Sequence, residues 1–349
     1  MQSWLGIIGR IPVLSRQALS HSATHTCQLS IVCPFYNEAE GTSLFFRQLV
    51  PVLESLGMPF EIVCVNDGSR DGTLAALRAV VAQDSRVRVV DLSRNFGKEA
   101  ALTAGLDHAR GAAVIPIDAD LQDPPELIPE LVQQWRRGFD VVLARRVDRL
   151  SDSPAKRLTA GLFYRIHNQI SDLELPDNVG DFRLMDRRVL EALKLLPERR
   201  RFMKGLFAWV GFRTAVVDYT RAPRAAGQSK FNWWRLWNFA IEGITAFSTA
   251  PLRVWTYLGA LVALVAFVYA GFIIGRTLWQ GVDVPGYASL LVAVLFLGGI
   301  QLLGLGVLGE YIGRIYNETK QRPIYLVREI YGEDGLSASA ASHPDDSTP

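Results

Sequence analysis

Two stretches of this chain, residues 254–274 and 287–308, carry no charged side chain. Each would extend about 31 to 33 Å as a helix, the thickness of a bilayer's hydrocarbon core. Helices buried inside a soluble domain would keep a polar stripe, and neither stretch shows a continuous one, so two membrane spans are expected. The link between them holds only Arg276 and Asp283, whereas Lys230, Arg235 and Arg253 come before the first stretch and Arg314, Lys320, Arg322 and Arg328 after the second. Positive charge is retained on the cytoplasmic side of a membrane. Both flanks, and with them the long N-terminal part, are therefore expected to face the cytoplasm.

In a chain of 349 residues that N-terminal part is long enough for one large domain. A formal net charge of +2 leaves little basic surface, which argues against a nucleic-acid partner. Cys27, Cys33 and Cys64 form no C-x-x-C pair, and Cys33 and Cys64 lie inside apolar runs like small buried side chains, as in a reducing compartment. The histidines show no H-E-x-x-H spacing, so a zinc enzyme is not expected. Residues 1–28 contain no acid and read as an extension of undefined role. The tail over 332–349, rich in Ser, Ala, Asp and Pro, has the composition of a disordered segment.

From residue 29 onward short apolar runs alternate with helical periodicity. The runs at 29–33, 61–65, 86–92, 112–117 and 139–144 read as strands, which predicts βαβ units and an α/β fold with a mostly parallel sheet covered by helices on both faces. An open sheet of that kind places its ligand crevice outside the carboxyl ends of the strands. Asp67 beside Gly68, Asp91, Arg94, and the run with Asp118, Asp120 and Asp123 all fall at such ends. Two carboxylates one residue apart can share a hard divalent cation such as Mg²⁺ or Mn²⁺, and that cation can hold a diphosphate. Asp123, directly before Pro124, can equally cap the next helix. No Gly-rich turn follows the first strand and there is no Walker A loop.

With PFYNE at 34–38, VNDGSRDGT at 65–73 and DADLQDPPE at 118–126, the chain resembles a family 2 glycosyltransferase of the GT-A, Rossmann-like fold. GDFRLMDR at 180–187, GQSKF at 227–231, the two apolar stretches and GEYIGRIY at 309–316 narrow the resemblance to the polyprenyl-phosphate glycosyltransferases, the group of dolichyl-phosphate mannose synthase and undecaprenyl-phosphate glucosyltransferase. It implies a glycosyltransferase domain over 29–230, a two-span hairpin over 251–310 and a cytosolic juxtamembrane segment over 311–331. Between domain and hairpin, residues 231–250 carry Trp233, Trp234 and Trp237 among polar residues and read as an amphipathic helix in the interfacial layer.

The resemblance also implies roles for single residues. Asp67 would recognise the nucleotide base, and Pro34, Tyr36 and Glu38 would line the base and ribose pocket. Asp118 would lie near the ribose and the metal, Asp120 would ligate the divalent ion, and Gln122 would contact a donor or acceptor phosphate. Pro34, Tyr36 and Gln122 also have plain explanations as a strand stop, a packed aromatic and a loop amide. Asp181 stands where relatives that attack with a sugar hydroxyl keep a general base. Here it is expected to orient the acceptor phosphate or a cationic neighbour, or else to pair with Arg183 or Arg187. Arg145, Arg199, Arg201, Arg224, Ser229 and Lys230 are candidates for holding phosphates, although a basic cluster beside a membrane can equally meet anionic headgroups.

The implied reaction is a metal-dependent, inverting transfer of a hexose from a nucleotide sugar to a polyprenyl phosphate in the bacterial inner membrane, by a homo-oligomer. Glucose from UDP-glucose is the first expectation and mannose from GDP-mannose the second. A phosphate monoester has its second pKa at about 6, so such an acceptor is already ionised and needs little help from a base. A processive polysaccharide synthase would carry Q-x-x-R-W and more spans; QQWRRG at 133–138 and NWWRLW at 232–237 do not supply the motif. A non-catalytic adaptor that only senses a nucleotide sugar would not need both Asp118 and Asp120.

Overall fold

A computed structural model describes residues 27–147, 178–199, 201–220, 250–280 and 286–332. The expectations for residues 1–26, for the interfacial helix over 231–249 and for the tail beyond 332 lie outside the described residues.

The order is β1 (Leu29–Phe35), α1 (Ala39–Ser55), β2 (Phe60–Asn66), α2 (Thr73–Val81), β3 (Val87–Leu92), α3 (Lys98–His108), β4 (Ala113–Pro116), α4 (Ile128–Arg136), β5 (Val141–Arg146), β6 (Val179–Asp186), α5 (Arg187–Lys194), α6 (Met203–Trp209), β7 (Thr214–Tyr219), α7 (Ala250–Gln280), α8 (Tyr287–Thr319) and β8 (Val327–Tyr331). All eight strands among the described residues join one sheet in the order β7-β5-β6-β4-β1-β2-β3-β8. The centre is parallel: β1 pairs with β2 and β4, and β2 with β3, so their carboxyl ends share one edge. β6 runs against β4 and β5, and β8 against β3.

Strand alternation divides the apolar residues between two faces. Leu29, Ile31, Cys33 and Phe35 pack with Phe45 and Leu49 of α1, Leu77 of α2 and Leu131 of α4. Val32, Val63, Val65 and Val90 pack on the other face with Leu102 of α3, Leu190 of α5 and Leu206 of α6. Fully burying one such side chain contributes about 1.5–3 kcal/mol. Helix α3 lies tight against the sheet because it is built of small residues: a Cβ added at Gly105 would sit 2.3 Å from Val32 Cγ1. That tight packing aims the start of α3 at the sheet's carboxyl edge.

The structure departs from sequence expectation in four strands: β5 is shifted, and β6, β7 and β8 join the five expected ones. β5 begins at Val141 and runs on through Arg146, so Arg145 and Arg146 belong to the strand rather than following it. β8 arises from the segment expected to be merely juxtamembrane. Its five residues carry too little pattern alone, and the free edge of β3 supplies the missing partner. The chain leaving α8 is fastened there by Ser93 N donating to Leu326 O (2.9 Å), Tyr325 donating to Asp107 (2.8 Å) and Arg328 donating to Ser93 O (2.6 Å). All three cysteines are free, with Cys33 and Cys64 buried.

Of the two C-terminal helices, the segment Phe296–Thr319 within α8 is long and apolar enough to cross a membrane, and Val254–Tyr269 within α7 forms a shorter apolar stretch. Both expose large apolar side chains, including Tyr257, Phe267 and Val268 on α7 and Leu302, Leu303 and Leu305 on α8.

Candidate active site

The carboxyl edge of β1, β2 and β4 opens into a cleft of about 250 Å³ lined by Pro34, Tyr36, Glu38, Asp67, Lys98, Asp118 and Asp120, among others. Every residue expected to bind the donor nucleotide lies in this lining. The edge produces the convergence: Pro34 belongs to β1, Asp67 follows β2 directly, and Asp118 and Asp120 follow β4.

Each acid is held by a specific local device. Asp67 is buried, and its carboxylate accepts from the backbone N–H of Phe96 (2.7 Å) and Gly97 (3.0 Å), tying the loop after β3 to the end of β2. Burial pushes its pKa up, and those two donors pull the other way. Asp120 accepts from the Gln122 backbone N–H (3.2 Å) and side-chain amide (2.6 Å). The chain can fold back in this way because Leu121 adopts φ 54°, a left-handed conformation that a branched apolar residue rarely takes. Asn37, between Tyr36 and Glu38, adopts φ 55°. Both outliers sit where the chain presents a site residue on either side. Glu38's pKa is raised by burial and by the nearby carboxylates of Asp120 and Asp71.

Among the described residues the cation in the lining is Lys98, which sequence reasoning did not single out. Its Nζ lies 2.8 Å from the Asp118 carboxylate and 2.9 Å from Asp181 Oδ2. Burial opposes a charged Lys98, yet the two carboxylates prevail and raise its pKa. Asp181 belongs to β6 and reaches the cleft through this lysine. Burial would raise its pKa, but Lys98, Lys204 and Arg183 outweigh that and hold it below the usual carboxylate range. Its other oxygen, Oδ1, is buried without a hydrogen-bond partner among the described residues. Beside it, Glu99 is pushed up to about 7 by burial and by Asp181. A sequence signal for Lys98 existed: a lysine opening a helix opposes the helix dipole and so calls for another reason to be there.

Other candidates lie elsewhere. Arg145 forms a two-pronged ion pair with Asp218 of β7 (2.7 and 2.9 Å) on the solvent side of the sheet's end. Arg201 donates to the carbonyls of Leu196 (2.9 Å) and Glu198 (3.3 Å), closing the turn after α5. At Arg199 the backbone N–H meets the Glu318 carboxylate at the end of α8 (3.0 Å). None of the three is in the cleft lining. Arg224, Ser229 and Lys230 lie outside the described residues. Asp91 does not face the cleft either: it accepts from Asn66 (2.7 Å) and pairs with Arg328 of β8 (3.3 Å). Arg94 stacks on Phe96, 4.0 Å from the ring centroid. Asp123 makes no helix cap and instead accepts from Tyr219 (2.6 Å). Arg187, one expected partner of Asp181, donates to the carbonyls of Ala109 and Gly111 instead.

No group of three or more His, Cys, Asp or Glu poised for a metal occurs among the described residues. Asp118 and Asp120 nevertheless offer hard oxygen donors on one wall of the cleft, and Asp118 already attracts a cation in the form of Lys98. That donor set suits a hard divalent ion that keeps further positions for phosphate oxygens and water.

A mostly parallel sheet with an acid pair at the carboxyl edge is the GT-A-like α/β arrangement, the class of protein to which fold and cleft point. Residues 30–194 match the family described as Glycosyl transferase family 2, and residues 250–315 match the GtrB C-terminal hairpin. Among curated relatives, an uncharacterized glycosyltransferase of Synechocystis is 56% identical over 89% of this chain and 98% of its own length. A prophage bactoprenol glucosyl transferase homolog of Escherichia coli is 54% identical over 87% of this chain and 99% of its own. The bactoprenol glucosyl transferase of Shigella phage SfII is 55% identical over 87% of this chain and 98% of its own. The chain belongs to glycosyltransferase family 2 and is a glycosyltransferase.

Proposed function

We propose that this enzyme transfers glucose from UDP-glucose to a membrane polyprenyl phosphate, inverting the anomeric centre and releasing UDP. What carries the reading is the gathering of Pro34, Tyr36, Glu38, Asp67, Asp118 and Asp120 in one cleft, in a chain that matches named bactoprenol glucosyl transferases along nearly their whole length. Helices α7 and α8 form a two-span hairpin with both basic flanks cytoplasmic, a reading supported by the flank charges and by the hairpin match. The cleft then lies on the side where a lipid phosphate can reach it.

Within the cleft, Pro34, Tyr36 and Asp67 receive the nucleoside. Asp67 also fixes the 96–97 loop through two backbone N–H groups, so the wall nearest the donor is preorganised. Asp118 and Asp120 would hold the divalent ion, Mg²⁺ or Mn²⁺, which when bound offsets charge on the departing diphosphate. Gln122 fixes the orientation of Asp120. On the acceptor side, Lys98 and Lys204 supply positive potential around Asp181, whose carboxylate pairs with Lys98. The acceptor oxygen arrives ionised, so the rate rests on alignment of two anions rather than on proton removal.

The test is a donor panel of UDP-glucose, UDP-N-acetylglucosamine and GDP-mannose offered with undecaprenyl phosphate to the purified chain, with and without EDTA. The reading expects a lipid glucoside of inverted anomeric configuration from UDP-glucose alone, and none with EDTA. A mannolipid, a retained configuration or full activity in EDTA would each overturn the corresponding part. For Asp181→Asn at saturating donor, transfer should fall about tenfold or more; near-normal turnover would reduce Asp181 to a structural acid.

A further inference from the structure

We propose that Lys98 is a resident counter-ion that occupies Asp118 until a divalent cation arrives, and that then turns to substrate phosphate while remaining with Asp181. The inference deepens the proposed function and rests on its assignment of Asp118 and Asp120 to the ion. Nothing about helix stability puts this lysine where it is. It is the first residue of α3, at the positive end of the helix dipole, after Gly97 with φ 97° and no side-chain cap. Its ammonium instead bridges two carboxylates from different parts of the chain, Asp118 after β4 at 2.8 Å and Asp181 on β6 at 2.9 Å.

Two features make the bridge exchangeable. The lysine side chain is 49% exposed along its length and Asp118 32% exposed, so a cation from solvent can reach the Asp118 carboxylate even though the ammonium itself is held by two acids. Asp181 is only half satisfied, since Oδ1 is buried with no partner among the described residues. A dication on Asp118 and an ammonium within hydrogen-bond reach of the same carboxylate repel each other. Binding of one therefore displaces the other, and Asp181 keeps the released lysine from leaving the cleft. Among the described lining residues, the freed ammonium is then the cation available to a phosphate brought into the cleft.

The full-length chain in detergent is titrated with Mn²⁺ alone, without nucleotide, sugar or lipid, and free Mn²⁺ is read by electron paramagnetic resonance. Lys98→Met should bind Mn²⁺ about fivefold tighter than the parent or more, the gain expected from removing a partly exposed competing ion pair. Lys98→Arg, which keeps the charge, should bind as the parent does. At saturating Mn²⁺ and donor, Lys98→Met should lose turnover by about tenfold with little change in donor KM. Unchanged or weaker Mn²⁺ binding in Lys98→Met, or no Mn²⁺ binding by any form, would overturn the proposal. Should thermal unfolding show that Lys98→Met does not fold, Lys98→Gln replaces it with the same expectation, because it keeps hydrogen-bonding capacity without charge. The Mn²⁺ readout involves no substrate, so it fails independently of the glucose and lipid assignments, which the donor panel tests.

Discussion

Gly68 follows Asp67 with φ +62°, and a Cβ added there would lie 2.4 Å from both the carbonyl carbon of Arg94 and the backbone nitrogen of Asn95. Those atoms are main chain and cannot rotate away. They also belong to the loop whose next two N–H groups, from Phe96 and Gly97, bind Asp67. Gly68→Ala therefore adds about 1–2 kcal/mol of left-handed strain and about 1–3 kcal/mol of overpacking, roughly 2–5 kcal/mol together. For a domain of this size that lowers Tm by about 5–15 °C. The displaced loop carries Asn95, Gly97 and Lys98 of the cleft lining, so affinity for UDP should fall by about tenfold or more. Gly57 is the matched control: its φ is +60°, but nothing lies within 4 Å of an added Cβ. Gly57→Ala should cost only the strain, about 1–2 kcal/mol, and leave UDP binding alone. Thermal unfolding and calorimetric UDP titration of both variants test this. If Gly68→Ala matched Gly57→Ala in both readouts, the loop could not be what shapes the donor wall.

Asp120→Ala should reduce transfer by about 10²-fold or more while leaving Tm within a few degrees, because the carboxylate faces the cleft and accepts from the Gln122 backbone N–H and side-chain amide, both local contacts; a folded variant with normal transfer would contradict its role. Glu99 has a folded pKa of about 7 against 4.5 when free, so the folded state holds a proton that the unfolded state has lost between those values. Its stabilising share is complete below pH 4.5 and gone above pH 7. Glu99→Gln should therefore flatten the fall in stability across that window and gain most over the parent above pH 7 in pH-dependent melting; an unchanged profile would contradict the burial of that carboxyl. Arg145→Ala breaks only an exposed ion pair with Asp218 and should change glycolipid synthesis by less than about twofold; a large loss in the same lipid-extraction assay would return Arg145 to the acceptor site.

The parallel centre of the sheet was legible because its strands are buried on both faces and so appear as nearly continuous apolar runs, Leu29 to Cys33 and Ile62 to Val65 among them. The gathering of acids at the cleft was legible for the same reason. Asp67, Asp118 and Asp120 interrupt or follow such runs abruptly, and only a strand end makes that pattern economical. What escaped were residues whose meaning depends on contacts distant in sequence. Lys98 acquires its role from Asp118 and Asp181, far along the chain, and β8 becomes a strand only because β3 has a vacant edge. For the arginines sequence leaves the partner open, because a positive charge looks alike whether it meets a phosphate, as was expected of Arg145, or the Asp218 on the neighbouring strand. Asp123 was open between a cap and an acid of the site, and Tyr219, unseen in local sequence, claims it.

In the proposed reaction the acid pair, held beside the bilayer, moves glucose onto an anchored lipid phosphate. The most direct measurement of this transfer uses proteoliposomes containing undecaprenyl phosphate, the parent chain or its Asp120→Ala variant, Mn²⁺ and radiolabelled UDP-glucose, followed by organic extraction. The account predicts label in the lipid phase for the parent, dependent on undecaprenyl phosphate, and background counts for the variant. Equal label in both, or label from the parent that stays in the aqueous phase, would contradict it.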